Sequence, residues 1–483
     1  MNFRLCIRAL GLFLMGVGAL MALTLLWRIK FEDLNLVAFV WPILLSWIAG
    51  GSMFIFSGRP SGEIGRREGF VIVAMGWVLA SVFGCLPFML GEGMSFTDAF
   101  FETMSGFSTT GATVIPDVEA LDPGIKFWRS LTHWLGGMGI LLLFVAIFPF
   151  LGMGARKLFT SEVPGPEKEG FSPRIADTAR VLWLIYTGLT VAETVLLMFG
   201  GMDLYTALCH SFGTLATGGF STLNSSVAGF DSAFIDGVIT VFMMLAGINF
   251  SLYFIAFRGR WKEALTDPEL KAYLLFFVLA AGLMALDLKL HGGGQYATAG
   301  GALRYSTFQA AAILTTTGYA TADFETWPSF SKGILLSLMF VGGCAGSTGG
   351  NMKVIRVLVG VRHAWQEVFR SLHPHAVLKV KVGQALDDSL VRSIIGFIGL
   401  FLTIFLFGGI ALTLLTGKDV LTCFTASIAS LGNIGPGFGM VGATQNYAWM
   451  PDSAKWLLCF LMLIGRLELF TVLVLFLPSF WRD

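Results

Sequence analysis

The sequence predicts an all-α, polytopic membrane protein. It has two extra N-terminal helices followed by four copies of a helix, short re-entrant helix, loop and helix. Three observations carry this reading. First, 55% of the 483 residues are hydrophobic and 13% are charged, where a soluble chain is about a quarter charged. Second, ten apolar stretches approach the length of about 20 residues that a helical span requires. Third, four shorter stretches, each ending in a Gly/Thr-rich run, recur between them, and such recurrence marks an internal repeat. The 32 Lys and Arg against 31 Asp and Glu leave a net charge of +1. That removes the electrostatic case for a nucleic-acid partner, which needs a clustered basic surplus.

The first apolar stretch, Ala9 to Trp27, follows Arg4 and Arg8. It is long enough to span and no small-residue cleavage site follows it, so it reads as a retained helix rather than a signal peptide. Further spans are expected at 37–57, 69–91, 126–151, 179–200, 233–257, 270–288, 330–360, 391–415 and 453–478. The half-apolar stretches between them have about a dozen residues, a re-entrant length. They read DAFFETMSGFSTTGAT (98–113), YTALCHSFGTLATGGFS (205–221), YSTFQAAAILTTTGYAT (305–321) and LTCFTASIASLGNIGPGF (421–438). Aligning one Gly of each puts Gly111, Gly219, Gly318 and Gly435 in register. The residues before them are Ser108-Thr109-Thr110, Ala216-Thr217-Gly218, Thr315-Thr316-Thr317 and Gly432-Asn433-Ile434. The chain then divides into two additional helices over 1–60 and repeats over 61–157, 158–262, 263–375 and 376–483. The third repeat carries an intramembrane loop over 342–352.

Lys and Arg favour the cytoplasmic side of a membrane. With an even number of spans, 22 of them fall on the side of both termini, 9 on the side of the four Gly runs and Arg466 inside a span. Both termini are therefore expected in the cytoplasm, with the loops opening outward. The six cysteines, Cys6, Cys85, Cys209, Cys344, Cys423 and Cys459, show no CxxC spacing, so neither a disulfide framework nor a zinc site follows.

Non-helical backbone at membrane depth is tolerated only where protein buries it or it lines water. A Gly/Thr turn joining two helices would explain one such run, but not four with the same flanks. Gly admits backbone angles closed to other residues, so successive carbonyls can turn to a common axis. A ring of carbonyls can replace the hydration shell of a potassium ion. Thr hydroxyls beside them would add oxygen ligands. The C-terminal ends of the short helices would present the negative ends of their dipoles to a cation.

Two further features stand inside spans. Gly342 to Gly350 holds five Gly with Cys344, Ala345, Ser347 and Thr348, and each interior Gly costs a helix about 1 kcal/mol against Ala. A broken, pore-lining helix is expected, close packing through small residues being the plainer alternative. Arg466 lies mid-span with Glu468 two residues on. An intramembrane Arg faces a bundle interior or an aqueous cavity, as a structural ion pair or as a barrier under a cation path.

At these residues the sequence resembles the TrkH-type membrane subunit of the Trk/Ktr/HKT superfamily of potassium transporters. The four runs, GGCAGSTGGNMKVIR (342–356) and IGRLELFTVLVLF (464–476) carry the resemblance, which extends over the whole chain. It implies a homodimer in the bacterial inner membrane with one pore per protomer, and a cytoplasmic TrkA-like regulatory ring. Any nucleotide (NAD, ATP or ADP) is expected on that ring only, and no covalently bound cofactor on this chain. By similarity the potassium-binding filter is Thr109, Thr110, Gly111; Thr217, Gly218, Gly219; Thr316, Thr317, Gly318; Asn433, Ile434, Gly435. The loop with Gly346, Ser347, Thr348, Gly349 and Gly350 would be a gate below the filter, faced by Arg466. The fourth run departs from the Thr-Gly pattern, so a filter without fourfold symmetry and less strict discrimination of K⁺ from Na⁺ are implied.

Other polar residues carry plainer readings. Glu193 is expected to hydrogen-bond between helices, and Asp98 to cap the first short helix. Glu102, His210 and Gln309 share the position nine residues before the aligned Gly, where scaffold hydrogen bonds are expected. His133 has no assigned role. Arg362 to Lys381, with His363, His373 and His375, reads as a docking surface or a loop against anionic lipid heads. The runner-up function is a K⁺/Na⁺ or K⁺/H⁺ coupled secondary transporter, although parallel rather than inverted repeats favour a pore. An enzyme is not expected: Gly437 to Gly442 matches GxGxxG but follows no strand.

Overall fold

A computed structural model describes residues 1–32, 34–58, 64–139, 175–376 and 378–482. The architecture is all-α, apart from a ladder pairing Lys381–Val382 with Gln384–Ala385. Two helices, Phe3–Met21 and Val37–Phe56, open the chain. They pack closely because Gly11 and Gly50 face each other: a Cβ on Gly11 would lie 2.6 Å from the Gly50 carbonyl oxygen. Such small-residue contacts let membrane helices approach backbone to backbone.

Each repeat then enters by a long helix, turns back through a short one and leaves by another. The entering helices are Arg66–Gly84, Ile175–Phe199, Pro268–His291 and Asp388–Thr416. The short helices are Phe96–Phe107, Leu204–Leu215, Ala299–Leu314 and Val420–Leu431. Each short helix starts at a capping side chain: Ser95, Asp203, Thr298 and Asp419 accept from the backbone N–H three residues on. This satisfies one of the amides that a helix start leaves unpaired. The first cap is thus Ser95, not Asp98. Asp98 sits one turn in, accepts from the Ser95 hydroxyl at 2.9 Å and pairs with the buried Lys455 at 2.6 Å.

The departing helices correct the expected spans. Among the described residues six helices are long and apolar enough to cross a membrane, or eight if two bent pairs each count as one. Ala233–Ala246 and Phe250–Phe257 meet at 91°, and Asp452–Arg466 and Leu469–Phe476 meet at 115°. The straight spans expected over 233–257 and 453–478 are therefore broken. At the first break, Asn249 caps the new helix by accepting from Ser251 N at 2.9 Å. At the second, Glu468 takes φ 61°, an angle that ends a helix for any residue but Gly at a cost. The stretch 330–360 is interrupted between Ser329–Leu338 and Val354–Leu372, as the Gly run implies. The departing helix of the first repeat is described as Pro123–Gly137; residues 140–151 of the span expected over 126–151 lie outside the described residues.

The core is continuous from the N-terminal pair to the last helix, and the short helices sit at its centre, with most of each one's C-terminal half fully buried. The six cysteines are unpaired and buried.

Candidate functional site

All four short helices end in the same way. The N–H of Thr110, Gly218, Thr317 and Ile434 reaches back five residues, to Ser105 O, Gly213 O, Ala312 O and Ala429 O at 2.8 to 2.9 Å. The preceding residue bonds three residues back, which completes a Schellman C-cap. That motif needs a left-handed residue, and Thr109, Thr217, Thr316 and Asn433 take φ of 55°, 56°, 61° and 53°. For β-branched Thr this is a true outlier, costing about 1–3 kcal/mol each, of the kind that concentrates at functional sites. Two residues on, Gly111, Gly219, Gly318 and Gly435 take φ of 80°, 80°, 76° and 96°.

The four loops close on one another. A Cβ on Gly111 would strike the carbonyl oxygen of Gly218, one on Gly219 that of Thr317, and one on Gly318 that of Ile434. One on Gly435 would lie 2.6 Å from the carbonyl oxygen of Thr110. The aligned Gly of each repeat thus lies against the carbonyl just before the aligned Gly of the next, and the fourth returns to the first. Of the twelve residues named from the sequence, the four glycines and the four residues just before them make these contacts, and Thr109, Thr217, Thr316 and Asn433 directly precede them; the four glycines line one cavity with Thr113, Asn224 and Tyr447. The Tyr447 hydroxyl donates to Gly435 O at 2.7 Å and its amide to Thr113 O at 2.8 Å.

Hydroxyl ligands are a different matter. Thr110 and Thr317 hydroxyls are bonded behind the ring to Ser108 and Thr315 at 2.7 Å, and Thr217 bonds the Ala216 carbonyl. Thr316 Oγ1 accepts from Gly350 N at 2.8 Å, Thr109 Oγ1 is buried without a hydrogen-bond partner, and the contacts between neighbouring loops are made by backbone oxygens. The ring's fourth member keeps the backbone of the others and differs in side chain. Asn433 Nδ2 donates to Thr110 Oγ1 and to Met462 O, both at 3.0 Å.

The shared position nine residues before the Gly clamps each helix to the segment rising beyond its loop. Glu102 accepts from Thr113 Oγ1 at 2.9 Å and Val114 N at 3.0 Å, His210 Nε2 meets Ser221 Oγ at 3.0 Å, and Gln309 donates to Tyr319 O at 3.2 Å. In the fourth repeat Ala426 stands there, and Thr425 takes over by accepting from Phe438 N at 2.9 Å. Glu102 also pairs with Arg129 at 2.6 Å, both fully buried. Removing one member of such a pair costs about 3–5 kcal/mol. Arg129→Ala should accordingly lower the thermal midpoint of the purified protein sharply, and Arg129→Met with Glu102→Leu should recover part of the loss. An unchanged midpoint for Arg129→Ala would contradict the clamp.

His133, without a role from the sequence, stacks on Phe220 at 3.9 Å and fills the space behind Gly218, where a Cβ would strike its ring. Glu193 is buried beside Thr214 of the short helix Leu204–Leu215, on the helix–helix seam expected of it, with neither carboxylate oxygen in a closely formed hydrogen bond.

Beneath the ring runs the Gly-rich loop. Gly350 N donates to Thr316 Oγ1 at 2.8 Å, and Thr348 Oγ1 to Ala246 O at 3.1 Å. Asn351 Nδ2 donates to Met339 O at 2.7 Å, so these polar groups turn inward. Arg466 donates from Nη1 to Thr348 O at 2.7 Å and from Nη2 to Gly136 O and Gly137 O at 2.6 and 2.7 Å. It ties the loop to the departing helix of the first repeat. Gly346, Ser347, Gly349, Gly350 and Arg466 line one cavity, whose wall also holds Lys353, Arg356 and Glu468. Lys353, buried, donates to Gly349 O, and Arg356 pairs with Glu468 at 2.7 Å. The stretch from Arg362 to Lys381 lies further out and is mostly exposed.

Comparison with known proteins places the family and the fold. The family model described as "TrkH: Cation transport protein" matches residues 38–482. A Trk system potassium uptake protein TrkH of Halomonas elongata is 41% identical, with all of both chains covered. Its counterpart in Escherichia coli is 39% identical over the same full coverage. The crystal structure of the potassium transporter TrkH from Vibrio parahaemolyticus superposes with a TM-score of 0.90, at 38% identity, covering both chains completely. The chain belongs to the TrkH family of cation transport proteins, membrane transporters rather than enzymes.

Proposed function

We propose that the chain takes up potassium across the bacterial inner membrane through one channel-like pore per protomer. The observation that carries this reading is the closed ring in which each aligned Gly lies against the next repeat's carbonyl. A ring of carbonyls coordinates a dehydrated cation, and the relatives named above are potassium uptake proteins. The twelve ring residues hold the ion in transit, chiefly through backbone oxygens. The loop from Gly346 to Gly350 is the gate below, and Arg466 holds it while setting a positive charge beside the path. The protein works as a homodimer with both termini in the cytoplasm. A TrkA-like ring bearing the nucleotide site acts on the loop from that side.

The test is flux from the purified protein in liposomes, with K⁺ and Na⁺ measured separately. A pore gives K⁺ flux that follows the voltage without fixed stoichiometry. Saturating flux locked to Na⁺ or H⁺ movement would establish the coupled transporter instead. A second expectation follows for the gate: deleting part of Gly343 to Gly350 should raise K⁺ flux and leave K⁺/Na⁺ preference in place. The deletion removes the loop and its bond to Thr316 but none of the ring carbonyls. A changed preference at unchanged rate would place the loop in the filter.

A further inference from the structure

The bonds that hold the Gly-rich loop at its inner root converge on one residue that the sequence reading did not single out. Glu269 lies in the first turn of the helix Pro268–His291, just after its capping residue Asp267. Its side chain is buried, and a single oxygen, Oε1, accepts from Ala345 N at 2.8 Å and from Ile355 N at 3.0 Å. These two amides bracket Gly346 to Gly350 and Lys353. Ile355 belongs to the first turn of Val354–Leu372, and that helix has no capping bond from its own Lys353 side chain. Its start therefore depends on a carboxylate supplied by another helix, at the end where a negative charge is favoured.

The loop's other ties are of different kinds. Its base is zipped by Gly342 N to Met352 O at 2.8 Å and Val354 N to Gly343 O at 3.2 Å. One flank is sewn to the break in the second repeat, through Cys344 N to Gly247 O at 2.8 Å and Phe250 N to Gly346 O at 3.0 Å. Its tip is held by Arg466 and Thr316. Glu269 alone among these is a side chain that joins both roots of the loop to an entering helix. That helix is preceded directly by the short segment Trp261–Thr266.

We infer that Glu269 is the latch of the gate: its carboxylate holds both roots of the loop in the closed position, and loss of its two bonds releases them. The inference rests on the loop being the gate. Opening by this route frees the Ala345 and Ile355 amides together and lets the loop leave the path without disturbing the ring.

The experiment compares Glu269→Ala, Glu269→Gln and Arg466→Ala in the full-length protein, each read by two signals in liposomes. One is K⁺ and Na⁺ flux. The other is labelling of Cys344 by a thiol reagent, located by mass spectrometry; Cys344 lies at the loop root and is fully buried, as are the other five cysteines. Glu269→Ala is expected to raise K⁺ flux about tenfold, which corresponds to about 1.4 kcal/mol of lost closed-state stability. Cys344 should become reactive while the other cysteines stay protected, with K⁺/Na⁺ preference unchanged. Glu269→Gln keeps a carbonyl oxygen that accepts two amides, so it should keep the loop closed and Cys344 protected.

Unchanged flux and labelling in Glu269→Ala, with raised flux in Arg466→Ala, would overturn the latch and leave the gate standing. No change in either variant would remove the gate reading itself. Glu269→Gln behaving as Ala would also overturn the latch as stated, since charge rather than the shared acceptor would then hold the loop. If Glu269→Ala fails to fold, Glu269→Asp carries the test. Its shorter arm cannot reach both amides, so raised flux and Cys344 labelling are expected there as well, and their absence in a folded protein would overturn the proposal.

Discussion

Gly318→Ser is expected to cut K⁺/Na⁺ discrimination by at least about tenfold, or about 1.4 kcal/mol, while the protein still inserts and folds. Left-handed backbone at φ 76° already strains a Ser there by about 1–3 kcal/mol, a cost that Thr109, Thr217 and Thr316 show the fold can carry. The obstacle is space. A Cβ on Gly318 would strike the Ile434 carbonyl oxygen and lie 2.7 Å from Pro436 Cδ. Something must move, and the carbonyl is backbone held by the Ile434 N to Ala429 O bond at 2.8 Å. Tightly packed regions transmit such strain rather than absorb it, so the displaced group is one of the ion's own ligands. The relevant measurement is K⁺ and Na⁺ flux of the purified variant. Unaltered K⁺ transport and unaltered discrimination would take Gly318 out of the ring's function.

Arg466→Ala should raise K⁺ flux per folded protein and lower stability at the same time. A positive charge beside a low-dielectric path adds a repulsive term for every passing cation, and Arg466 lines the cavity directly under the ring. Its guanidinium also bridges Thr348 O on the loop to Gly136 O and Gly137 O. Losing it frees the loop and leaves carbonyls without these donors, at about 1–3 kcal/mol for each that water does not reach. Both effects favour an open path. Arg466→Lys keeps the charge but not the fork that spans two elements, so intermediate flux is expected. A stable Ala variant with slower or unchanged K⁺ flux would contradict the gate role.

The ring was legible in the sequence because its signal is periodic: four Gly recur with the same flanks, and one alignment groups residues up to 324 positions apart (Gly111 and Gly435). The strain in it was not legible. Thr avoids left-handed backbone, and nothing in the residue types announces that Thr109, Thr217 and Thr316 adopt it; the C-cap bonds of each short helix and the packing of the loops against one another hold them there. The two sharp helix breaks show the same division. Gly247 followed by Asn249 is a readable stop and cap, obscured by the apolar residues around it. Leu467-Glu468 has no such mark, and the turn at Glu468 goes with its tertiary ion pair to Arg356. Charge counting treats Lys353 and Arg356 as loop charges, and nothing in it announces that the interrupted helix buries them in a cavity wall with Arg466 and Glu468. Glu269 escaped for a related reason: an acidic residue in a first helical turn is ordinary, and its importance lies in two amides 76 and 86 residues away.

The central claim is that one cation sits on the axis of the four loops, held by their carbonyls. The most direct measurement is a diffraction experiment on crystals soaked in Rb⁺, with the anomalous signal locating the ion. The account predicts a peak on that axis, within coordination distance of the carbonyl oxygens of Thr110, Gly218, Thr317 and Ile434, replaced when K⁺ is added in excess and absent in Gly318→Ser. A peak confined to side-chain oxygens away from the ring, or Rb⁺ transport by a protein whose ring stays empty, would contradict it.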